Sequence, residues 1–337
     1  MKPLNKVIVN KDTSFNPIWI MRQAGRYLPE FRKIRKENTN FINLCLNEKL
    51  SSEITLQPLK RFDLDAAIIF SDILMVPYGL NQAVSFKKNF GPLLGSINLE
   101  KISKINKIDF SNKLSPIYKS ISNVKKNSLT NNKDVIGFIG APWTLLVYMI
   151  GAKLNKKDIN FEIIERKMDE VEIILNELND YLCLHIENQM KAGADVVQVF
   201  DSWAGLIPNN HLNNFCYTPN SKIVNFCKSK NIPVICFPRG IKESYKDFNN
   251  LVKPDGINID YNVDPNWAKE NLKETVIQGG LDPKILSLSD EEICNNTKKY
   301  LDAFKGLPYV FNLGHGMLPE TDPAKVSMLV KFYREYA

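Results

Sequence analysis

Ala66-Ala67-Ile68-Ile69-Phe70-Ser71-Asp72 is an apolar run that stops abruptly on a polar pair. Consecutive apolar side chains without alternation are the pattern of a strand buried on both faces, as in a parallel sheet covered by helices. Runs of the same kind recur at Ile18 to Met21, Val135 to Ile139, Val196 to Phe200, Pro233 to Phe237, Gly256 to Ile259, Thr275 to Gln278 and Tyr309 to Leu313, which makes eight. Most of the segments between them are long enough for a crossover helix. The expected fold class is therefore α/β, a (β/α)8 TIM barrel, and 337 residues fit a single domain, 1–337, with inserted loops.

The clearest helix reads as Ile159 to Lys191, where Ile164, Met168, Val171, Leu175, Leu178, Leu182 and Ile186 repeat at three- and four-residue steps before Gly193. His185 lies beside that stripe and reads as structural. Val84 to Asp134 is rich in lysine, asparagine and serine with weak periodicity, so an insertion of short helices and solvated loops is expected there.

Composition narrows the function classes. A hydrophobic share of 44% and a charged share of 24% suit a globular protein with a large core. The longest apolar stretch, Leu145 to Ile150, is too short to cross a bilayer, and Met1 to Asp12 has no signal-like apolar region, so no membrane partner and a cytoplasmic location are expected. Cys45, Cys183, Cys216, Cys227, Cys236 and Cys294 form no Cys-x-x-Cys pair and are expected to be reduced thiols. His185, His211 and His315 lie far apart, which gives a metal site no support. The net charge of +7 comes from dispersed lysines rather than an arginine-aromatic array, so nucleic acid is not an expected partner.

Arginine is the exception to that dispersal. Of eight arginines, Arg22, Arg26, Arg32 and Arg35 fall within fourteen positions. A guanidinium presents a fixed fork of donors that matches a carboxylate bidentately, so a chain that otherwise prefers lysine places arginine where that geometry matters. The cluster points to an anionic ligand. Arg22 and Arg26 read as carboxylate clamps, whereas Arg32 reads equally well as a surface ion-pair residue.

Barrel chemistry sits at the C-terminal ends of strands. Arg22-Gln23-Ala24-Gly25-Arg26 follows the first run, Ser71-Asp72 the second, Gly140-Ala141-Pro142-Trp143-Thr144 the third, Asp201-Ser202 the fourth and Gly314-His315-Gly316 the last. Asp72 is the most informative, because it stands alone between two apolar runs. A carboxylate so placed must be protonated or must meet donors or a cation, unless it caps a helix. Tyr148 and Ser202 by themselves read as a core tyrosine and a helix cap. His315, between two glycines that permit close approach, can donate to a carboxylate or remain a satisfied core histidine.

Pro17-Ile18-Trp19-Ile20-Met21-Arg22-Gln23-Ala24-Gly25-Arg26-Tyr27-Leu28-Pro29-Glu30-Phe31-Arg32 resembles the N-terminal signature of the uroporphyrinogen decarboxylases. Leu64 to Leu74, Gly137 to Thr144 and Phe311 to Gly316 resemble further blocks of that family, in its order. The resemblance implies a homodimeric lyase that removes the four acetate carboxyl groups of uroporphyrinogen III to give coproporphyrinogen III and four CO2 in haem biosynthesis, without a cofactor. It also implies Asp72, Arg22, Arg26, Tyr148 and His315 as catalytic residues. Substrate contacts would come from Arg22, Gln23, Ala24, Gly25, Arg26, Arg35, Asp72, Tyr148, Ser202 and His315. In that chemistry a protonated pyrrole ring draws electrons from the departing carboxyl group, and a fixed carboxylate at Asp72 meets the pyrrole N–H groups and the positive charge. The proton donor stays open between Arg26, a carboxyl group and bound water. Gly280 departs from the family, which often has asparagine there, and Arg239 has no assigned counterpart. The rival readings are a zinc-dependent methyltransferase of the same superfamily, which would need a His-x-Cys pair that is missing here, and a non-catalytic tetrapyrrole carrier.

Overall fold

The computed structural model describes residues 1–87, 91–97, 102, 104–155 and 158–337. Seven strands form one parallel sheet in the order β1-β4-β5-β6-β7-β8-β9, and two more pair as an antiparallel hairpin. The sheet comprises β1 (Ala66–Ile68), β4 (Asp134–Gly140), β5 (Val196–Asp201), β6 (Val234–Pro238), β7 (Gly256–Ile259), β8 (Val276–Gly279) and β9 (Tyr309–Val310). The hairpin is β2 (Val84–Lys87) with β3 (Gly91–Leu94).

The sheet curls strongly. Gln278 Nε2 on β8 donates to Gln198 Oε1 on β5 at 2.9 Å, although two strands separate them in the sheet. Trp19 Nε1 donates to Gln278 Oε1 at 2.9 Å, so all three side chains occupy the concave interior. The segment around Ile18 lies between the two sheet edges: Ile18 bridges Phe311 beyond β9, and the Asp65 amide before β1 donates to the Ile18 carbonyl at 2.8 Å.

That segment is not the regular strand expected from Ile18 to Met21. It makes a single parallel bridge because side chains satisfy its next amides. Ile20 N–H donates to Gln23 Oε1 at 3.0 Å and Met21 N–H to Asn312 Oδ1 at 2.8 Å. The other runs form strands within a few residues of the expected positions, although β1 and β9 are shorter.

Two helical expectations need correction. The run from Ile159 divides into Phe161–Arg166 and Met168–Lys191, interrupted at Lys167, whose φ of −122° and ψ of 30° leave the helical region. Within the supposed insertion, Lys107–Lys125 is a 19-residue helix. Phe110, Leu114, Ile117, Ile121 and Val124 supply its buried stripe, which the surrounding lysines, serines and Pro116 obscure in the sequence.

Helix Pro3–Asn10 buries Leu4, Val7 and Ile8 in the same cluster as Trp19, Ile136, Val196 and Val276. The Leu4 amide donates to the buried Asp134 carboxylate at the start of β4, at 2.8 Å. This helix therefore covers the N-terminal ends of the strands, and the opposite mouth is left for a ligand. Among the described residues, no helix is long and apolar enough to cross a membrane.

Candidate active site

Asp72 reaches the mouth because β1 stops early. The backbone of Phe70 is held by helix Glu48–Arg61: Ser51 Oγ donates to the Phe70 carbonyl at 2.6 Å, and the Phe70 amide donates to Thr55 Oγ1 at 2.8 Å. Both hydroxyls replace partners that a continuing strand would have supplied. Two residues later the Leu74 amide donates to Asp72 Oδ1 at 2.9 Å. Asp72 thus caps the turn that follows, but with one oxygen; Oδ2 has no hydrogen-bond partner among the described residues. Burial pushes the Asp72 pKa up to about 6, opposed by the Leu74 amide and by the charge of Arg22.

Arg22 has φ +63°, a left-handed conformation that costs a non-glycine residue about 1–3 kcal/mol and persists where the surroundings enforce it. Its side chain lies against Gly316, where an added Cβ would meet Arg22 Cδ at 2.4 Å. Glycine at 316 is what lets this guanidinium occupy the mouth. Arg22 is accessible to solvent yet closely surrounded by protein, as expected of a side chain projecting into a concavity. Burial lowers its pKa, Asp72 and Tyr148 oppose that, and Arg26 and Arg239 add repulsion. Five groups from four segments of the chain thereby share one electrostatic neighbourhood.

Neither Arg22 nor Arg26 forms an ion pair among the described residues. Arg32 instead clamps the loop, donating to the carbonyls of Arg26 at 3.0 Å and Tyr27 at 2.9 Å. Arg35 is half-buried, bonded to the Asn38 carbonyl and stacked over Phe41 at 5.5 Å. It and Asp72 both bear on the Cys45 thiol, which sets Arg35 at the edge of the same region.

Gln23 is fully buried and internally committed, accepting from Ile20 and donating to the Ala66 carbonyl at 3.0 Å. It stitches the Ile18 segment to β1. Ala24 and Gly25 are half-exposed on the Arg22–Arg26 turn, where the Leu28 amide closes onto the Gly25 carbonyl at 3.0 Å.

Tyr148 belongs to helix Pro142–Met149, and burial raises its pKa, with Asp72 adding to the rise. Its ring meets Trp203 edge-on at 5.9 Å. Ser202 is half-buried just after β5, with no hydrogen bond to its hydroxyl among the described residues. Beneath it, the Asp201 carboxylate is fully engaged by Thr144 Oγ1 at 2.7 Å and Asn220 Nδ2 at 3.2 Å, which ties β5 to two helices. His315 contacts the Gly316 carbonyl through Nδ1 at 3.2 Å. Burial, then Arg239 and Arg22, lower its pKa to about 4, so it is neutral at neutral pH. With Nδ1–H assigned to that carbonyl, Nε2 carries the free lone pair.

Three site members escaped the sequence reading or were left open there. Trp203 and Lys153 flank Tyr148, and Arg239 acts on both Arg22 and His315. Trp203 follows Ser202 directly, so its place at a strand end was the available signal. Gly280 has φ +103°, and a Cβ there would meet Tyr300 Cε1 at 2.5 Å, which accounts for glycine in place of asparagine. His185 is buried, takes a 2.9 Å hydrogen bond with Tyr118 through Nδ1, and has a pKa held down to about 3 by burial. Its role is structural.

The family model for uroporphyrinogen decarboxylase (URO-D) matches residues 1–336. This chain belongs to the uroporphyrinogen decarboxylase family. The uroporphyrinogen decarboxylase of Rickettsia felis is 39% identical over 340 residues, covering 98% of this chain and 97% of its own. That of Orientia tsutsugamushi is 38% identical, covering 100% and 99%. Among solved structures, a methyltransferase from Methanosarcina mazei superposes with TM-score 0.81 over 99% of this chain and 98% of its own at 16% identity, a likeness of fold alone. Among the described residues, no three His, Cys, Asp or Glu side chains gather as metal ligands would.

Proposed function

We propose that this chain is a uroporphyrinogen decarboxylase that converts uroporphyrinogen III to coproporphyrinogen III, releasing four CO2 without a cofactor. We read the Ile18 segment as the eighth stave of a single-domain (β/α)8 barrel, and the protein as a cytoplasmic homodimer that takes no nucleic acid. The observation that carries the reading is Asp72 itself: one oxygen fixed by the Leu74 amide, the other unpartnered among the described residues, and Arg22 within electrostatic reach.

A cyclic tetrapyrrole offers inward-pointing N–H donors to such a carboxylate. Protonation of a pyrrole carbon makes the ring cationic, and the ring then accepts the electron pair of the breaking C–C bond as CO2 leaves. Asp72 stabilises that charge, and because the carboxylate is preorganised in a poorly hydrated site, its effect exceeds what it would have in water. Its raised pKa is consistent with this role, since N–H donors and a developing cation both favour the ionised form. Arg22, Arg26 and Arg35 receive substrate carboxylates, each charge-assisted hydrogen bond contributing about 1.5–3 kcal/mol. Tyr148, Ser202 and neutral His315 orient the remaining periphery. Anaerobic incubation with reduced uroporphyrinogen I and III tests the proposal. Coproporphyrinogen and CO2 are expected, and unchanged substrate would overturn it.

A further inference from the structure

One cation of the mouth has no task in the reading above. Strand β6 ends at Pro238, which pairs with Asp201 at the end of β5, so Arg239 and Ser202 follow side by side at the C-terminal ends of neighbouring strands. The ladder reaches one residue further, because the Arg239 amide donates to the Asp201 carbonyl at 3.2 Å. Side chains of a strand alternate between its two faces. Ile235 and Phe237 of β6 belong to the interior cluster with Trp19, and Phe200 of β5 packs against it, whereas Asp201 turns outward to Thr144 and Asn220 of the covering helices. Two positions beyond Phe237 and Phe200, Arg239 and Ser202 continue that interior face into the mouth.

The backbone that carries Arg239 is held on both sides. Its carbonyl accepts from the Gly205 amide at 2.9 Å, and the following amide, that of Gly240, donates to Asp260 Oδ2 at 2.8 Å. The loops after β5 and β6 touch so closely that a Cβ on Gly205 would meet the Gly240 carbonyl oxygen at 2.6 Å. The Asp260 carboxylate is committed elsewhere, since it also takes the Tyr245 hydroxyl at 3.2 Å and the Asn262 amide at 2.9 Å. Arg239 is half-buried, and its guanidinium has no hydrogen bond or ion pair among the described residues, nor has the Ser202 hydroxyl beside it a hydrogen bond. It stands within electrostatic reach of Arg22 and His315 and adds to the positive charge there instead of being neutralised. A guanidinium on a fixed backbone, next to an unbonded hydroxyl, offers a carboxylate several donors at once.

We infer that Arg239, together with the Ser202 hydroxyl beside it, binds one peripheral carboxylate of the tetrapyrrole on the β5–β6 side of the mouth. The inference rests on the function proposed above. Arg239→Gln keeps a polar side chain and removes the charge, and Arg239→Lys keeps the charge without the planar fork. With uroporphyrinogen III, Arg239→Gln is expected to lower kcat/KM about tenfold, the size of one charge-assisted contact, with the change carried by KM. Arg239→Lys should fall between Arg239→Gln and the wild type. Uroporphyrin III, the oxidised ring with the same carboxylates, titrated by quenching of tryptophan emission, gives a readout without turnover and should bind Arg239→Gln correspondingly more weakly. Two groups that hold one carboxylate are coupled, so the affinity lost in Ser202→Ala with Arg239→Gln should be smaller than the product of the two single losses. Unchanged KM and porphyrin affinity in Arg239→Gln would overturn the inference. So would a fall in kcat at constant KM, equal losses in Arg239→Gln and Arg239→Lys, or independent losses in the double variant. A wild-type protein that binds the porphyrin but leaves uroporphyrinogen unchanged would instead refute the function, and the titration would still decide the role of Arg239.

Discussion

Asp72 is held in the protein at an energetic cost. Its pKa of about 6 lies above the ordinary 3.8, so the folded chain binds this proton more tightly than the unfolded chain does, and stability falls as pH rises from about 4 to about 6. Asp72→Asn keeps an oxygen for the Leu74 amide and removes the buried charge. At pH 7.5 the variant is expected to be more stable in urea by on the order of 2 kcal/mol; an unchanged or lower midpoint would contradict the burial argument. On the mechanism proposed above the sign reverses for activity, because there the ionised form stabilises the cationic ring. The pH profile of kcat/KM should therefore show an acid limb with an apparent pKa near 6. His315, neutral above about 4, should not contribute, and a limb that shifts in His315→Asn would reassign it. Gly316→Ala tests Arg22 in the same way. The added methyl would meet Arg22 Cδ at 2.4 Å, so substrate affinity should fall by about tenfold or more with little change in stability, since the guanidinium can swing away.

Elements carry these residues to the mouth, and here the sequence was only partly legible. The apolar runs gave most strands because burial on both faces leaves an unbroken pattern, as in Val196–Asp201 and Gly256–Ile259. Ile18 to Met21 carries the same pattern but forms one bridge, since partners for Ile20 and Met21 come from Gln23 and from distant Asn312. No local periodicity reports that. The 19-residue helix Lys107–Lys125 was missed because its stripe is diluted by polar residues, although Phe110, Leu114, Ile117 and Ile121 keep the helical step. Likewise the grip of Ser51 and Thr55 on Phe70 joins residues 15 or more positions apart. Thr55→Val leaves the buried Phe70 amide without an acceptor and should destabilise the protein by about 1–3 kcal/mol. It should also lower kcat more than it raises KM, by loosening the approach to Asp72, and Thr55→Ser should rescue both. Chemical denaturation with steady-state kinetics checks this; a stability loss without a kinetic effect would detach the helix from the site.

At the scale of the whole molecule, one end of the curled sheet is covered by Pro3–Asn10, and the other brings Arg26, Arg239 and His315 within electrostatic reach of Arg22, which in turn acts on Asp72. Strand-end motifs singled out Arg22, Arg26, Asp72 and His315 in the sequence, whereas Arg239 had no assigned role there. Lys153 lies at no strand end, and only the loop trajectory brings it beside Tyr148. The excess of positive charge predicts that substrate KM rises with salt between about 50 and 500 mM while kcat stays nearly constant, because screening weakens capture of carboxylates by exposed arginines more than it weakens interactions of the buried Asp72. On the proposed mechanism Asp72 serves the cationic transition state more than the bound substrate. The most direct test is Asp72→Asn, comparing single-turnover decarboxylation of uroporphyrinogen III with coproporphyrin III affinity in the same preparation. Turnover is expected to fall by about a hundredfold or more with porphyrin affinity within about tenfold of the wild type; turnover within a few-fold of the wild type would remove Asp72 from the chemistry.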